Sequence, residues 1–212
     1  MEKLIAVLQK KSAELNLFSA GDRLKLGEKH IPDALAVMDF WTVKPGDRVA
    51  DIGTGGGLPG LALAYALPEV EFTLVDATAK KIEAIRSMAD ELELKNLRTL
   101  IGRFEELAHD ARNRERFDFV TARAVAELPT LLEYVAGFLK VGGKFYAWKS
   151  ADYAGELEQS AKAQQVLALR YLKAHDYVLP SGEKRSILCF EKTAALPAAY
   201  PRKNGVPKSK PL

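Results

Sequence analysis

A glycine-rich stretch and an aspartate about 20 residues after it are the part of this sequence best suited to chemistry. The stretch VADIGTGGGLPG, residues 49–60, has five glycines in its last eight residues. The spacing Gly55-x-Gly57-x-x-Gly60 lets a backbone approach a ligand closely, and a carboxylate at Asp76 can accept both hydroxyls of a ribose. These residue types at this spacing predict a site for a nucleoside-containing ligand.

Three kinds of ligand compete for such a loop. A P-loop is excluded because there is no Gly-Lys-Ser/Thr ending and no lysine between Arg48 and Lys80. A nicotinamide dinucleotide fits the glycines, but Asp51 would place a negative charge where the pyrophosphate is expected. S-adenosylmethionine has a sulfonium and an ammonium and no phosphate. Asp51 therefore favours a methyl donor, and a dehydrogenase remains the alternative.

Alternating strands and helices must position these residues. The sequence predicts five strands, RVADIG, EFTLVDA, LRTLIG, FDFVTARA and GGKFYAWKS, separated by helices and followed by a hairpin-like pair, HDYVLP and RSILCFEKT. This alternation implies βαβ units and a parallel sheet with helices on both faces. Ligands of such sheets bind beyond the carboxyl ends of the strands. The segments expected there are Asp51–Gly57, Asp76–Thr78, Gly102–Glu105, Arg123 and Lys149.

Both flanks of this α/β region have a different character. Residues 1–46 predict a helical extension, in which Ile31–Trp41 forms the second helix. Residues 194–212 form a tail with four basic residues and no acidic one. Such a tail is either solvated or in contact with an anionic partner. The predicted organisation is therefore residues 1–46, residues 47–193 as the ligand-binding domain, and residues 194–212.

Composition excludes several classes of protein. No apolar run approaches the roughly 18 residues that a membrane span needs, and the N-terminus lacks the order of a signal peptide. The only cysteine is Cys189, and the three histidines lack metal-ligand spacing. There is no coiled-coil repeat. We therefore expect a metal-free, cytoplasmic protein and a monomer.

Five motifs together resemble one methyltransferase family: DIGTGGGLPG, TLVDATAKKIEAIR, GRFEEL, FDFVTARAVAEL and GGKFYAWKS. The sequence is similar to the glucose-inhibited division protein B family, the 16S ribosomal RNA guanine-N7 methyltransferases, over nearly its whole length. The resemblance implies a class I methyltransferase of Rossmann-like fold, with a mostly parallel seven-stranded sheet and an N-terminal helical extension. It implies methyl transfer from S-adenosylmethionine to N7 of a guanine, in 16S rRNA or an assembling 30S subunit.

The alternatives are a methyltransferase for a small molecule or protein, and a non-catalytic RNA-binding module with an adenosyl pocket. For the family function, the resemblance places the donor against the glycine loop, its ribose at the end of the second strand and its adenine at Phe104 and Glu105. With Asp51, the predicted donor site comprises Gly53, Thr54, Gly55, Gly57, Leu58, Asp76, Ala77, Thr78, Phe104 and Glu105.

Arg123 is the predicted catalytic residue, because its position in TARA matches the family's residue beside the methionine end of the donor and the entering base. N7 of guanine has no proton to remove, so we expect Arg123 to position the base rather than act as an acid. The predicted RNA-binding cations are Lys29, Lys80, Lys81, Lys149, Arg202 and Lys203. Three positions depart from the family: Lys29 before His30, Trp148, and Ser150 after Lys149. We expect these departures to affect how the protein binds RNA. His30, Tyr146 and Trp148 are expected to be structural.

Overall fold

A seven-stranded sheet forms the centre of the protein, whose computed structural model describes all 212 residues. The strands are β1 (Arg48–Ile52), β2 (Glu71–Asp76), β3 (Leu97–Ile101), β4 (Phe117–Arg123), β5 (Leu139–Ser150), β6 (Leu169–Val178) and β7 (Lys184–Lys192). Their order is β3-β2-β1-β4-β5-β7-β6. Strands β1 to β5 pair in parallel, and β7 is antiparallel to both β5 and β6. The predicted mostly parallel seven-stranded sheet and its closing hairpin are confirmed.

Helices cover both faces of the sheet and bury two apolar cores. They are α1 (Glu2–Leu15), α2 (Ala20–Leu24), α3 (Ile31–Leu35), α4 (Gly60–Ala66), α5 (Ala79–Glu91), α6 (Phe104–Leu107), α7 (Leu128–Ala136), α8 (Ala154–Gln159), α9 (Ala161–Val166) and α10 (Val206–Ser209). Helix α5 illustrates how a helix packs on the sheet: Ile82, Ile85 and Ala89 recur at intervals of three and four residues, so they share the face that contacts it. None of the helices combines the length and apolar character that crossing a membrane requires.

Two predicted helices are divided. The segment Ile31–Trp41 begins as α3 but tightens into a 3₁₀ turn at Ala36–Asp39. The charged helix predicted near residues 157–169 is two short helices, α8 and α9, and Leu169 already belongs to β6. The hydroxyl of Ser160 donates to the Leu157 carbonyl, at 2.7 Å, which competes with continuation of α8.

The N-terminal extension shares a core with the sheet. Leu4, Leu8 and Leu26 are completely buried, in the same apolar cluster as Val49 of β1 and Leu74 of β2. The extension therefore folds onto the α/β region.

The basic C-terminal tail is also docked, which argues against the solvated segment, one of the two alternatives for it. Pro201 and Pro207 are buried, and the Thr130 hydroxyl of α7 donates to the Pro207 carbonyl at 3.1 Å. Arg114 donates to the carbonyls of Leu196 and Tyr200, at 3.0 and 2.9 Å. The backbone carbonyls of the tail thus receive donors from the domain, while Lys203, Lys208 and Lys210 stay exposed.

Candidate active site

The glycine loop connects β1 to α4 at the carboxyl edge of the sheet. Gly60, the first residue of α4, lies so close to β1 and β2 that a Cβ there would be 2.7 Å from Asp51 Oδ2 and 2.9 Å from Leu74 Cδ1. Its N–H donates to Asp51 Oδ2 at 3.0 Å. The absence of a side chain at Gly60 therefore lets α4 begin directly against the strands, which sets the path of the loop.

Asp51 is a structural residue, which corrects its prediction as a ligand contact. Its side chain is completely buried, and Oδ1 accepts a hydrogen bond from the Thr121 hydroxyl of β4 at 2.8 Å. Burial raises the pKa of this carboxyl. Asp51 ties β1, β4 and α4 together instead of presenting a charge to a ligand. The argument from its charge against a pyrophosphate therefore has no support in the structure.

Asp76 supports the loop from the end of β2. Its Oδ2 accepts the Gly55 N–H at 3.1 Å, and its Oδ1 accepts the Thr78 N–H at 2.8 Å. Each carboxylate oxygen can accept more than one hydrogen bond, so both retain capacity for the hydroxyls of a ribose. Ala77 and Thr78 beside it are exposed. This arrangement fits the predicted ribose position.

Two buried oxygens near this edge have capacity for a further hydrogen bond. They are Glu105 Oε2 at the start of α6, which has no partner in the protein, and the Thr54 hydroxyl of the glycine loop, which lies beside the Asp51 carboxylate. The other oxygen of Glu105 accepts the Gly205 N–H of the tail at 3.0 Å. Buried polar atoms are nearly always satisfied, so these two are suited to a polar ligand. The residues present therefore fit an adenosyl group, with Phe104 preceding Glu105 and packing on Tyr134, 5.2 Å between ring centroids.

Leu58 contributes to the core rather than to an open cleft. Its side chain is 4% exposed and packs with Leu61 and Ile82 in the cluster on the α4 and α5 face. The prediction that Leu58 contacts the donor is therefore not supported for its side chain. Gly53, Gly55 and Gly57 remain predicted backbone contacts.

A cavity of about 390 Å³ lies beside the loop, between the N-terminal extension, the ends of β4 and β5 and the start of β7. Phe18 of the extension lines it and also packs on the glycine loop, since a Cβ at residue 56 would come within 2.7 Å of the Phe18 ring. The donor loop and this cavity therefore meet at one aromatic side chain. The charged and ring-bearing residues that line the cavity are Phe18, Lys29, His30, Asp33, Arg123, Trp148, Lys149 and Arg185.

Asp33 organises this cavity, and it was not predicted from the sequence. Its Oδ2 accepts from Arg123 Nη1 at 2.8 Å, and its Oδ1 accepts from the Tyr177 hydroxyl at 2.6 Å. The Trp148 indole N–H donates to the Asp33 carbonyl at 2.7 Å. One residue of α3 thus fixes side chains from β4, β5 and β6. The only sequence signal is an aspartate in the first turn of a helix, which is too common to indicate this role.

Two of the predicted RNA-binding cations form hydrogen bonds within the protein. Lys149 Nζ donates to Glu156 Oε1 at 2.5 Å and to the Ala126 carbonyl at 3.0 Å, and its side chain is 12% exposed. Arg202 donates through Nε and Nη2 to the fully buried carboxylate of Glu133. These contacts hold both side chains in place, but Lys149 still lines the cavity and Arg202 Nη1 has no partner, so RNA binding by the two residues stays a prediction.

The other predicted cations lie where RNA can reach them. Lys80 and Lys203 are exposed, and Lys81 Nζ is 3.9 Å from Asp76 Oδ2 at the ligand edge. Lys29 lines the cavity and pairs with Glu183. His30 accepts or donates a hydrogen bond with Asp22 at 3.1 Å, and burial lowers its pKa, which agrees with a structural role.

The sheet order, the glycine loop between β1 and α4 and the acidic end of β2 define the class of protein. It has the Rossmann-like fold of the class I S-adenosylmethionine-dependent methyltransferases. The family model GidB, rRNA small subunit methyltransferase G, matches residues 1–187. The chain therefore belongs to this family.

Two relatives support this assignment. Ribosomal RNA small subunit methyltransferase G of Desulfitobacterium hafniense is 42% identical over 200 residues, covering 94% of this chain and 82% of the relative. The protein of that name from Syntrophomonas wolfei is 40% identical over 185 residues, covering 87% and 86%.

More distant solved structures share only the fold. Geranyl diphosphate C-methyltransferase from Streptomyces coelicolor, solved with S-adenosyl-L-homocysteine, is 14% identical, with a TM-score of 0.55 over 76% of this chain and 78% of that one. The [4+2]-cyclase SpnF is also 14% identical, with a TM-score of 0.60 over 78% and 81%. Since one is a methyltransferase and the other a cyclase, this fold alone does not specify the reaction.

Proposed function

We propose that this protein transfers the methyl group of S-adenosylmethionine to N7 of a guanine in 16S ribosomal RNA. The observation that carries the proposal is the contact of the glycine loop with a cation-lined cavity through Phe18. A base in that cavity would lie beside the donor. Membership of the rRNA small subunit methyltransferase G family supports ribosomal RNA as the source of that base.

The residues around the cavity suit a reaction that needs alignment. When bound, S-adenosylmethionine supplies an electrophilic methyl group on a sulfonium. Guanine N7 has a lone pair and no proton to remove, so proximity and orientation supply most of the acceleration. Arginine commonly donates to both O6 and N7 of guanine. Here N7 must stay free, so we assign O6 or a neighbouring phosphate to Arg123, with Asp33 orienting the guanidinium.

The substrate and the setting are part of the same proposal. Either naked 16S rRNA or an assembling 30S subunit would present the guanine, and both occur in the cytoplasm of the bacterial relatives. We further propose that the protein acts as a monomer and without a metal, because alignment of a lone-pair nucleophile calls for no Lewis acid.

Donor binding and methyl transfer can be tested one after the other. Calorimetric titration should detect S-adenosylmethionine and no NAD. Labelled methyl should then pass to naked 16S rRNA or to 30S particles. Label that appears only in protein or small molecules, or a titration that detects NAD alone, would refute the proposal.

A variant tests the role of Arg123. We expect Arg123→Ala to lower kcat/KM for RNA by on the order of 100-fold, since misplacing a base by about 1 Å has an effect of that size. Arg112→Ala is the control, because Arg112 is 88% exposed and pairs only with the nearby Asp110. Full RNA methylation by Arg123→Ala would show that Arg123 has no positioning role.

A further inference from the structure

One carboxylate holds two cations together at the mouth of the cavity. Glu183, in the turn between β6 and β7, accepts from Lys29 Nζ at 2.6 Å and from Arg185 Nη2 at 2.7 Å. Lys29 belongs to the N-terminal extension, while Arg185 belongs to β7, and both line the cavity. The bridge therefore joins the two sides of the cavity that contains Arg123.

The charges of this cluster favour an anion with more than one oxygen. Two cations share one carboxylate, so the cluster carries a formal charge of +1. Hydrogen bonds from Lys29 and Arg185 lower the pKa of Glu183, so its carboxyl is ionised at neutral pH. In addition, Nη2 is the one Arg185 nitrogen with a hydrogen-bond partner, and the side chain is 31% exposed. An arginine with an unused donor is suited to bidentate binding of a phosphate.

The surface beyond Arg185 continues as a second groove. It has a volume of about 510 Å³ and is lined by Tyr153, Tyr177, Val178 and Lys184 as well as Arg185. Its one acidic residue, Asp176, accepts a hydrogen bond from the Ser186 hydroxyl at 2.6 Å. Val178 is 63% exposed, which gives the groove an apolar wall. A single-stranded nucleic acid needs cations for its backbone and apolar or aromatic surface for its bases, and this groove offers both.

We propose that Lys29 and Arg185 form a subsite for a phosphodiester group adjacent to the methylated guanine, which Glu183 occupies until RNA displaces it. This inference rests on the proposed function. Glu183 is an internal competitor: its two oxygens take the positions that the two non-bridging oxygens of a phosphodiester would take. The neighbouring nucleotide then lies in the groove beyond Arg185.

The same hairpin supplies matched controls. Arg170 Nη2 pairs with Glu191 Oε2 at 2.5 Å, near the opposite ends of β6 and β7. This pair also joins an arginine to a glutamate, but it lies at the amino edge of the parallel strands, far along the hairpin from the cavity. Glu191→Gln and Arg170→Gln therefore alter charge on the same strands as Glu183→Gln and Arg185→Gln, away from the proposed subsite.

The test is filter binding of transcribed 16S rRNA by the full-length chain between low and physiological salt. We expect Glu183→Gln to tighten binding by roughly threefold to tenfold at low salt, because it removes a competing charge. Arg185→Gln should weaken binding by about tenfold and reduce the salt slope by about 1, as loss of one phosphate contact does. The two control variants should resemble the wild type.

Parallel titrations with S-adenosylmethionine separate the possible failures. All four variants should bind the donor as the wild type does. A donor affinity that changes with Glu183 or Arg185 would assign the subsite to the donor's carboxylate and overturn the inference. If the wild type methylates rRNA but Glu183→Gln binds it no tighter than Glu191→Gln, the subsite is refuted and the proposed function stands. If the wild type neither binds nor methylates rRNA, both are refuted.

Discussion

Replacing Gly55 with alanine should weaken donor binding while lowering the stability of the fold by a limited and measurable amount. Gly55 has φ of +56°, and the nearest atom to an added Cβ is the Gly53 carbonyl oxygen at 3.8 Å. There is no clash to relieve, so the effect on the free energy of unfolding comes from the left-handed backbone, roughly 1–2 kcal/mol. The added methyl group would project into open space at the glycine loop, where we predict the donor. We therefore expect the Kd for S-adenosylmethionine to rise by at least about tenfold, equivalent to about 1.4 kcal/mol.

Gly142→Ala is the matched control for this prediction. Gly142 also has a positive φ, +80°, and no atom lies within 4 Å of its added Cβ. It lies in β5 between Leu139, which pairs with Phe117 at the start of β4, and Lys144, which pairs with Phe119. Gly142 is therefore at the edge of the sheet opposite the glycine loop. Urea denaturation should show similar losses of stability in Gly55→Ala and Gly142→Ala, and calorimetry should show loss of donor affinity only in the first. Equal donor affinity in two folded variants would refute the assignment of the loop.

Two further predictions concern ion pairs inside the fold. Asp33→Asn should lower the free energy of unfolding by about 2–3 kcal/mol in urea, because it leaves the mostly buried Arg123 without its counter-charge; a change below about 0.5 kcal/mol would contradict this. Glu115 pairs with the buried Lys192 at 2.6 Å. Burial alone would raise the pKa of Glu115, but hydrogen bonding to Lys192 outweighs it and lowers the pKa below 4.5. The stability it contributes is therefore present at neutral pH and lost as pH falls below 4.5, so the difference in unfolding free energy between wild type and Glu115→Gln should shrink there. A difference that grows on acidification would contradict the assignment.

The parts of the site that the sequence predicts are those encoded by local spacing. The glycines between β1 and α4 and Asp76 at the end of β2 occupy the expected edge because short-range periodicity determines the strands, and parallel strands end at the same edge. The packing of Gly60 on Asp51 follows from the same local geometry. The class of fold was therefore predictable from the alternation of strands and helices.

The roles of individual charges were less predictable, because they depend on contacts between distant parts of the chain. Asp51 looks like a charge facing a ligand, but its partner Thr121 is 70 residues away. Arg202 looks like part of a solvated basic tail, but Glu133 on α7 binds it. Asp33 gains its role only when the extension folds over the ends of β4, β5 and β6. Nothing in the spacing of these residues indicates such pairs.

The most direct test of the central claim is the identity of the methylated nucleoside. Transcribed 16S rRNA and 30S particles should be incubated with the protein and methyl-labelled S-adenosylmethionine, digested to nucleosides and analysed by mass spectrometry. The account predicts that the label appears in 7-methylguanosine, and that Arg123→Ala strongly reduces it. Label in any other nucleoside, or none in either RNA substrate despite donor binding, would contradict the account.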